Sequence, residues 1–188
     1  MTYDTRGQLG PDECLRILQL IPATAGTDFV MAVSSRNGGN VVEGESARLW
    51  EGRAQLDIAG YYNSVSYITD TGGPAAGLTS SSLIVVRCCD KATASLGSIL
   101  ASRNDQVTVR ISTYRATGEG FTARESALQL EFTNAMITQQ ALFTGSADGR
   151  PMEILTFAYR EFELRSAPQS ATGAIGPVNT CQFTRPAR

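Results

Sequence analysis

Leu83-Ile-Val-Val-Arg-Cys-Cys89, then Asp90-Lys-Ala-Thr-Ala-Ser-Leu-Gly-Ser-Ile-Leu-Ala-Ser-Arg103, then Gln106-Val-Thr-Val-Arg-Ile-Ser-Thr-Tyr-Arg115 decide the fold class. The first stretch is a largely apolar run of strand length. In the second, Ala92, Leu96, Ile99 and Leu100 fall on one side of a 3.6-residue period, and Asp90 stands where a helix cap belongs. Burying the larger members of that stripe contributes about 1.5–3 kcal/mol each, enough to hold a short helix against a sheet. In the third, Val107, Val109 and Ile111 alternate with polar residues, the pattern of a half-buried antiparallel strand.

Reading outward, Glu125–Thr133 alternates in the same way through Leu128, Leu130 and Phe132, and Ala135–Phe143 reads as the next strand. The turn Gly145-Ser-Ala-Asp-Gly-Arg-Pro151 leads into a strand over Met152–Leu164, with Asp148 and Gly149 building the turn and Gly149 supplying a positive φ. Residues Ile154 to Tyr159 are apolar on both parities. One face of an antiparallel sandwich normally meets water, so this strand calls for a second cover, either a helix or a neighbouring subunit. Upstream, Asp28–Ser34 reads as a strand, Arg36-Asn-Gly-Gly-Asn40 as a turn, and Glu43–Ser46 as a polar segment. Gln55–Thr69 is a strand pair or one bent strand, with a phase change at Asn63 and Ser64 that a β-bulge would produce. Thr69–Ser82 reads as a long loop of small residues. Past Ser166, Ile175, Val178 and Phe183 can pin a final short strand.

The first 27 residues stand apart from the remainder, 28–188. Within them Pro11–Ile21 predicts a helix with Cys14, Leu15, Leu18 and Ile21 on one face, ended by Pro22 and Gly26. At about three turns it must dock on something, its own domain before a partner. The expected fold is mainly β: an antiparallel barrel or sandwich of two sheets with one α-helix packed across it, plus this short N-terminal helix.

Composition narrows the function. The 188 residues carry 18% charged and 42% hydrophobic side chains and a formal net charge of −2, which gives no electrostatic reason for nucleic acid or an anionic membrane as partner. There is no His, which removes a Ser-His-Asp triad and the commonest transition-metal ligand. Of the cysteines, Cys14, Cys88, Cys89 and Cys181, none forms a C-x-x-C pair. They read as buried reduced thiols, with a Cys14–Cys181 disulfide left open. No catalytic, cofactor or metal site is expected. Met1–Gly7 lacks the charged-then-apolar pattern of a signal peptide, so the chain is expected to fold in the cytoplasm and leave, if it does, by a route that reads no such signal.

Several segments resemble one family in the right order. Asp90-Lys-Ala-Thr-Ala-Ser-Leu, Ile99-Leu-Ala-Ser102 and Val107 to Arg115 are similar to the helix-then-strand segment of the hemolysin-coregulated (Hcp) tube proteins of type VI secretion. Leu130-Glu-Phe-Thr-Asn-Ala-Met-Ile137 resembles the family's L-x-N-A-x-I strand pair. Gly145 to Glu153 and Leu155-Thr-Phe-Ala-Tyr-Arg-Glu-Phe-Glu163 resemble its D-G-x-P-x-E…S-Y-x-K-I-E signature. Leu56-Asp-Ile58 matches an I-E-V element, and Pro177-Val178 to Cys181 matches the short terminal segment. The likeness covers roughly 28–183 and is strongest over 83–165. Asn63 in place of an aromatic, the segment Arg36–Arg53 and the helix at 11–21 depart from the pattern.

The resemblance implies a structural protein rather than an enzyme. It implies hexameric rings that stack into a tube inside a contractile sheath, fired with a spike at the tip, with effector proteins in the lumen. It implies ring stacking through Thr69, Asp70, Thr71, Gly72, Gly73, Pro74 and Leu78. Subunit contacts would fall at Leu155, Phe157 and Tyr159, and lumen-facing positions at Asn63, Ser64 and Ser66. A tail-tube subunit of a phage or related injection machine shares this logic. A monomeric β-sandwich binding module is a different class. An enzyme built on Asp57, Glu131, Glu161 and Glu163 would need a cleft and perturbed pKa values, and solvated strand faces explain these carboxylates more simply.

Overall fold

The alternation at 107–111 and 128–132 produces two of the longest strands. β10 (Val107–Arg115) pairs antiparallel with both β1 (Thr27–Ser35) and the first half of β11 (Leu128–Phe143). The computed structural model describes Glu13, Arg16 and residues 27–35, 40–68, 77–115, 126–144, 149–168 and 176–184.

β11 organises the molecule. Its first half pairs with β10 on one side and β13 (Glu161–Ser166) on the other, and its second half pairs with β12 (Met152–Ala158). β12 continues to β9 (Leu83–Cys88) and then β6 (Gly60–Tyr62), while β13 continues to β14 (Asn179–Thr184). The change of partner occurs at a bulge. Val107 faces Ala135 but Val109 faces Phe132, so Thr133 and Asn134 together oppose a single residue, and Asn134 takes φ 49°. Asn tolerates this left-handed conformation better than most side chains. On the facing strand the chain bends at the same level, where the Arg160 amide donates to the Thr133 carbonyl at 3.3 Å.

With β2 (Asn40–Val41) and β5 (Leu56–Asp57) both paired to β1, ten described strands form one sheet that folds over itself without closing into a barrel, while β3 (Leu49–Trp50) and β4 (Arg53–Ala54) form a separate hairpin. Met31, Val33, Val109 and Ile111 from one portion meet Leu83, Val85, Leu155 and Phe157 from the other in a single core. This is the expected antiparallel sandwich. The helix α1 (Ala92–Ala101) packs on that core with Ala92 and Leu96 buried and Ile99 and Leu100 against it, as their spacing predicted. Asp90 caps it: Asp90 Oδ1 accepts from the Ala92 amide at 2.8 Å, and Thr93 Oγ1 accepts from the Asp90 amide at 3.1 Å.

Other expectations change. The two strands expected over 125–133 and 135–143 are replaced by one bent strand, β11, which begins at Leu128, whereas Met152–Leu164 is split at Tyr159 and Arg160 into β12 and β13. The predicted bulge at Asn63 and Ser64 is a change of partner. β6 ends at Tyr62 on β9, and β7 (Val65–Ile68) starts a separate hairpin with β8 (Gly77–Ser80). Gly77–Ser80, read as loop, is thus strand, with Leu78 opposite Tyr67. Thr69–Pro74, Cys14, Asp148 and the predicted helix at 11–21, apart from Glu13 and Arg16, lie outside the described residues. Gly149 has φ 72°, as its turn required. Cys88 and Cys89 are half-buried and Cys181 is exposed, which corrects the buried-thiol expectation for the last.

Candidate functional site

The residues proposed to touch a neighbouring subunit are interior. Leu155, Phe157 and Tyr159 are no more than 4% exposed, and all three belong to the core between the two sheet portions. Tyr159 packs edge-on to Phe132 at 4.8 Å, and its hydroxyl donates to Asn63 Oδ1 at 2.8 Å. Side chains already removed from water by their own chain gain nothing from assembly, so this expectation is corrected. A strand apolar on both parities needed a cover, and on this side the cover is the opposing sheet. Of the lumen candidates, Asn63 is half-buried by that bond, Ser64 donates its amide to Ser81 Oγ at 2.9 Å, and Ser66 is exposed on β7.

The Glu of the D-G-x-P-x-E stretch has an interior role that the sequence did not assign. Glu153 is 0% exposed and receives Arg87 Nη1 at 2.8 Å, with Arg87 itself 1% exposed. Thr93 Oγ1 donates to the same carboxylate oxygen at 3.1 Å, and Gln140 Nε2 donates to the other at 2.6 Å. Arg87 also pairs with the cap residue Asp90. This charge-assisted network ties β9, β11 and β12 to the first turn of α1. With Arg87 and Glu153 both buried, the network works as a latch between the sheet and the helix.

The remaining carboxylates lie on sheet faces. Across β10, β11, β13 and β14 the register aligns Arg110, Glu131, Glu163 and Gln182 in one row. Arg110 pairs with Glu131 at 2.6 Å. Glu163 accepts from Gln182 Nε2 at 2.5 Å and from Arg165, and these hold its carboxyl below the ordinary range. Asp57 is exposed, and Glu161 accepts from Thr133 Oγ1 at 2.9 Å. A carboxylate neutralised on a flat face by neighbouring donors is poorly placed for acid-base chemistry. Among the described residues no group of three or more Cys, Asp or Glu side chains could hold a metal ion. Nor is any described helix long and apolar enough to cross a membrane.

What the surface does offer is edges and apolar points. β14 pairs only with β13, and the second half of β11 pairs only with β12, so each leaves a row of backbone groups facing outward among the described residues. The hairpin β7–β8 forms its own two-stranded sheet. Leu49 and Val178 are exposed on the rim of a groove of about 310 Å³ whose floor includes Trp50, Arg110, Gln129 and Arg165. The Arg110 guanidinium sits 4.8 Å from the Trp50 ring centre, and that of Arg48 sits 4.2 Å from the Tyr114 ring centre. Those two contacts fold the 42–55 segment onto the outer face of β10. Tyr62 and Leu142, the other exposed large apolar residues among those described, stand on β6 and on the half of β11 that pairs with β12.

Several solved structures share this fold at low sequence identity. The protein is similar to a type six secretion system protein (18% identity, TM-score 0.65), over 83% of this chain and 95% of that one. It is similar to Hcp1 from Salmonella typhimurium (12%, 0.63; 85% and 95%) and to a type VI secretion system effector from Yersinia pestis (19%, 0.59; 84% and 100%). At these identities the likeness establishes the fold. A search of curated proteins finds no significant match. The sequence itself matches the family described as type VI secretion system effector, Hcp, over residues 39–165. That span takes in the latch, the helix and the whole β11–β13 bend, and it covers well over half the chain: the protein belongs to the Hcp family, the tube and effector proteins of type VI secretion.

Proposed function

We propose that this protein is a structural subunit of the type VI inner tube, assembling as hexameric rings that stack and carry effector proteins in the lumen. Family membership carries the reading, and the distribution of unpaired edges supports it. A ring built from one repeated head-to-tail contact needs two different, complementary surfaces on each subunit, and the rotation must close. The β14 edge, with Val178 and Leu49 beside it, the β6 edge, with Tyr62, and the second-half β11 edge, with Leu142, offer three candidates for such a pair in different parts of the sheet. Pairing edges around a ring would also remove the aggregation hazard each carries alone. The β7–β8 hairpin, with its connecting residues 69–76, is the proposed reach toward the next ring. Asn63, Ser64 and Ser66 at its base are the proposed lumen-facing positions. Sheath and spike proteins are the proposed partners, no enzymatic step is assigned, and export is through the machine.

Light scattering after size exclusion across a concentration range tests this. The expected species is a hexamer near 120 kDa, six times 20.1 kDa. A monomer at every concentration, with no rings by electron microscopy at high protein, would refute self-assembly and favour a binding module.

A further inference from the structure

The β3–β4 hairpin is closed by Glu51 and Gly52, which both take positive φ, 50° and 76°. Two such residues make the tight turn that matches the twist of the strands it joins. So short a hairpin has no core of its own, and it rests on the sheet through Trp50, whose ring centre lies 4.8 Å from the Arg110 guanidinium. That contact brings Leu49 and Trp50 to the groove of about 310 Å³ that Val178 also lines. Leu49 is 64% exposed and Val178 59%, and they are two of the four exposed large apolar side chains among the described residues. A single apolar residue on a surface is ordinary, whereas two on one cleft point to a contact.

The groove is also charged in one sense. Arg110 donates Nε and Nη2 to Glu131 Oε2, at 2.9 and 2.6 Å, and Arg165 donates Nε to Glu163. Each guanidinium has five N–H donors, so both keep terminal N–H groups for a further acceptor. The carboxylates that balance them, Glu131 and Glu163, do not line the groove, and neither does any other acidic side chain among the described residues. A ligand there meets two guanidinium groups and no carboxylate. The planar fork of a guanidinium matches a carboxylate through two parallel hydrogen bonds.

We propose that this groove binds an extended segment of a partner protein in which acidic residues are flanked by apolar ones. The acidic side chains pair with Arg165 and Arg110, and the apolar ones pack on Leu49, Val178 and Trp50. A volume of about 310 Å³ stands at the lower end of binding clefts and suits a short segment rather than a folded domain. A phosphate backbone would use the arginines but would leave Leu49 and Val178 in water. A net charge of −2 also gives nucleic acid no long-range attraction to the chain. The inference concerns a single subunit and does not rest on how rings are built.

Trp50 is the only Trp of the chain, so its emission reports on this groove. The intact chain is titrated with acetyl-Leu-Glu-Glu-Leu-amide and with the same peptide carrying Gln-Gln or Lys-Lys at its centre. The acidic peptide is expected to shift the emission saturably, the Gln peptide to bind roughly tenfold more weakly, and the Lys peptide not to bind. Arg165→Gln is expected to weaken the acidic peptide roughly tenfold and Leu49→Ser several-fold, while Arg103→Gln, exposed beyond α1, leaves it unchanged. No saturable shift, or equal binding of the acidic and Gln peptides, overturns the proposal. An oligothymidylate that binds as tightly as the acidic peptide overturns it in favour of nucleic acid. Emission that shifts when the chain alone is concentrated overturns it in favour of a second copy. Should a variant lose its β-sheet circular dichroism, the parent's choice among the three peptides decides the matter.

Discussion

Glu153→Ala should be among the most damaging single substitutions in this protein. The carboxylate is 0% exposed and serves Arg87, Thr93 and Gln140 at once. Removing one partner of a buried ion pair costs about 3–5 kcal/mol, because the other charge stays buried. Asp90 still meets one end of the Arg87 guanidinium, which pulls the charge term toward the lower figure. Thr93 and Gln140 lose their acceptor, adding about 1 kcal/mol or more. A net loss of about 3–5 kcal/mol results, or roughly 6–20 °C in Tm at about 2–4 °C per kcal/mol for a domain of this size. Glu153→Gln keeps the shape and one acceptor and should fall between Ala and the parent. Arg87→Met with Glu153→Leu removes both charges and should recover most of the loss. Urea unfolding followed by circular dichroism measures all three. A Glu153→Ala cost under about 1 kcal/mol, or a double variant no better than the single, would refute the latch.

Three further outcomes are expected. Phe183 stacks on Phe162 at 5.5 Å and is the member of β14 packed against the core. Phe183→Ala should weaken its docking by about 1–2 kcal/mol and speed hydrogen exchange at 179–184 roughly tenfold while β10 is unaffected. The Glu163 carboxyl is held low by Gln182 and Arg165, so its contribution is present above the ordinary Glu pKa of about 4.3 and is lost as pH falls through and below that value. Protection of the β14 amides, corrected for the pH dependence of intrinsic exchange, should therefore fall on acidification, and Glu163→Gln should remove that fall. Finally, a Cβ at Gly44 would sit 2.3 Å from the Gln55 carbonyl oxygen and 2.9 Å from Leu56 Cα, both backbone. Gly44→Ala must displace the 42–55 segment, costing about 1–3 kcal/mol and red-shifting the emission of Trp50.

Local period alone determined much of this protein. The alternation at Val107, Val109 and Ile111 and at Leu128, Leu130 and Phe132 marks half-buried strands, because side chains on a strand alternate faces whatever lies around it. The stripe Ala92, Leu96, Ile99 and Leu100 marks a helix against a core, and Gly149 marks a turn needing positive φ. The order of short motifs from Asp90 to Glu163 pointed to the family. Tertiary structure decided the rest, because it depends on residues far apart in the chain. Arg87 and Glu153 meet across 66 positions, and nothing near either one marks it as half of a buried pair. Gly77–Ser80 looks like loop by composition and becomes strand only because β7 pairs with it. The double apolarity of Ile154–Tyr159 said that two covers exist without saying which. Folding the sheet at Asn134 put Leu155, Phe157 and Tyr159 in the chain's own interior, and among the described residues it left strand edges that no side-chain pattern records.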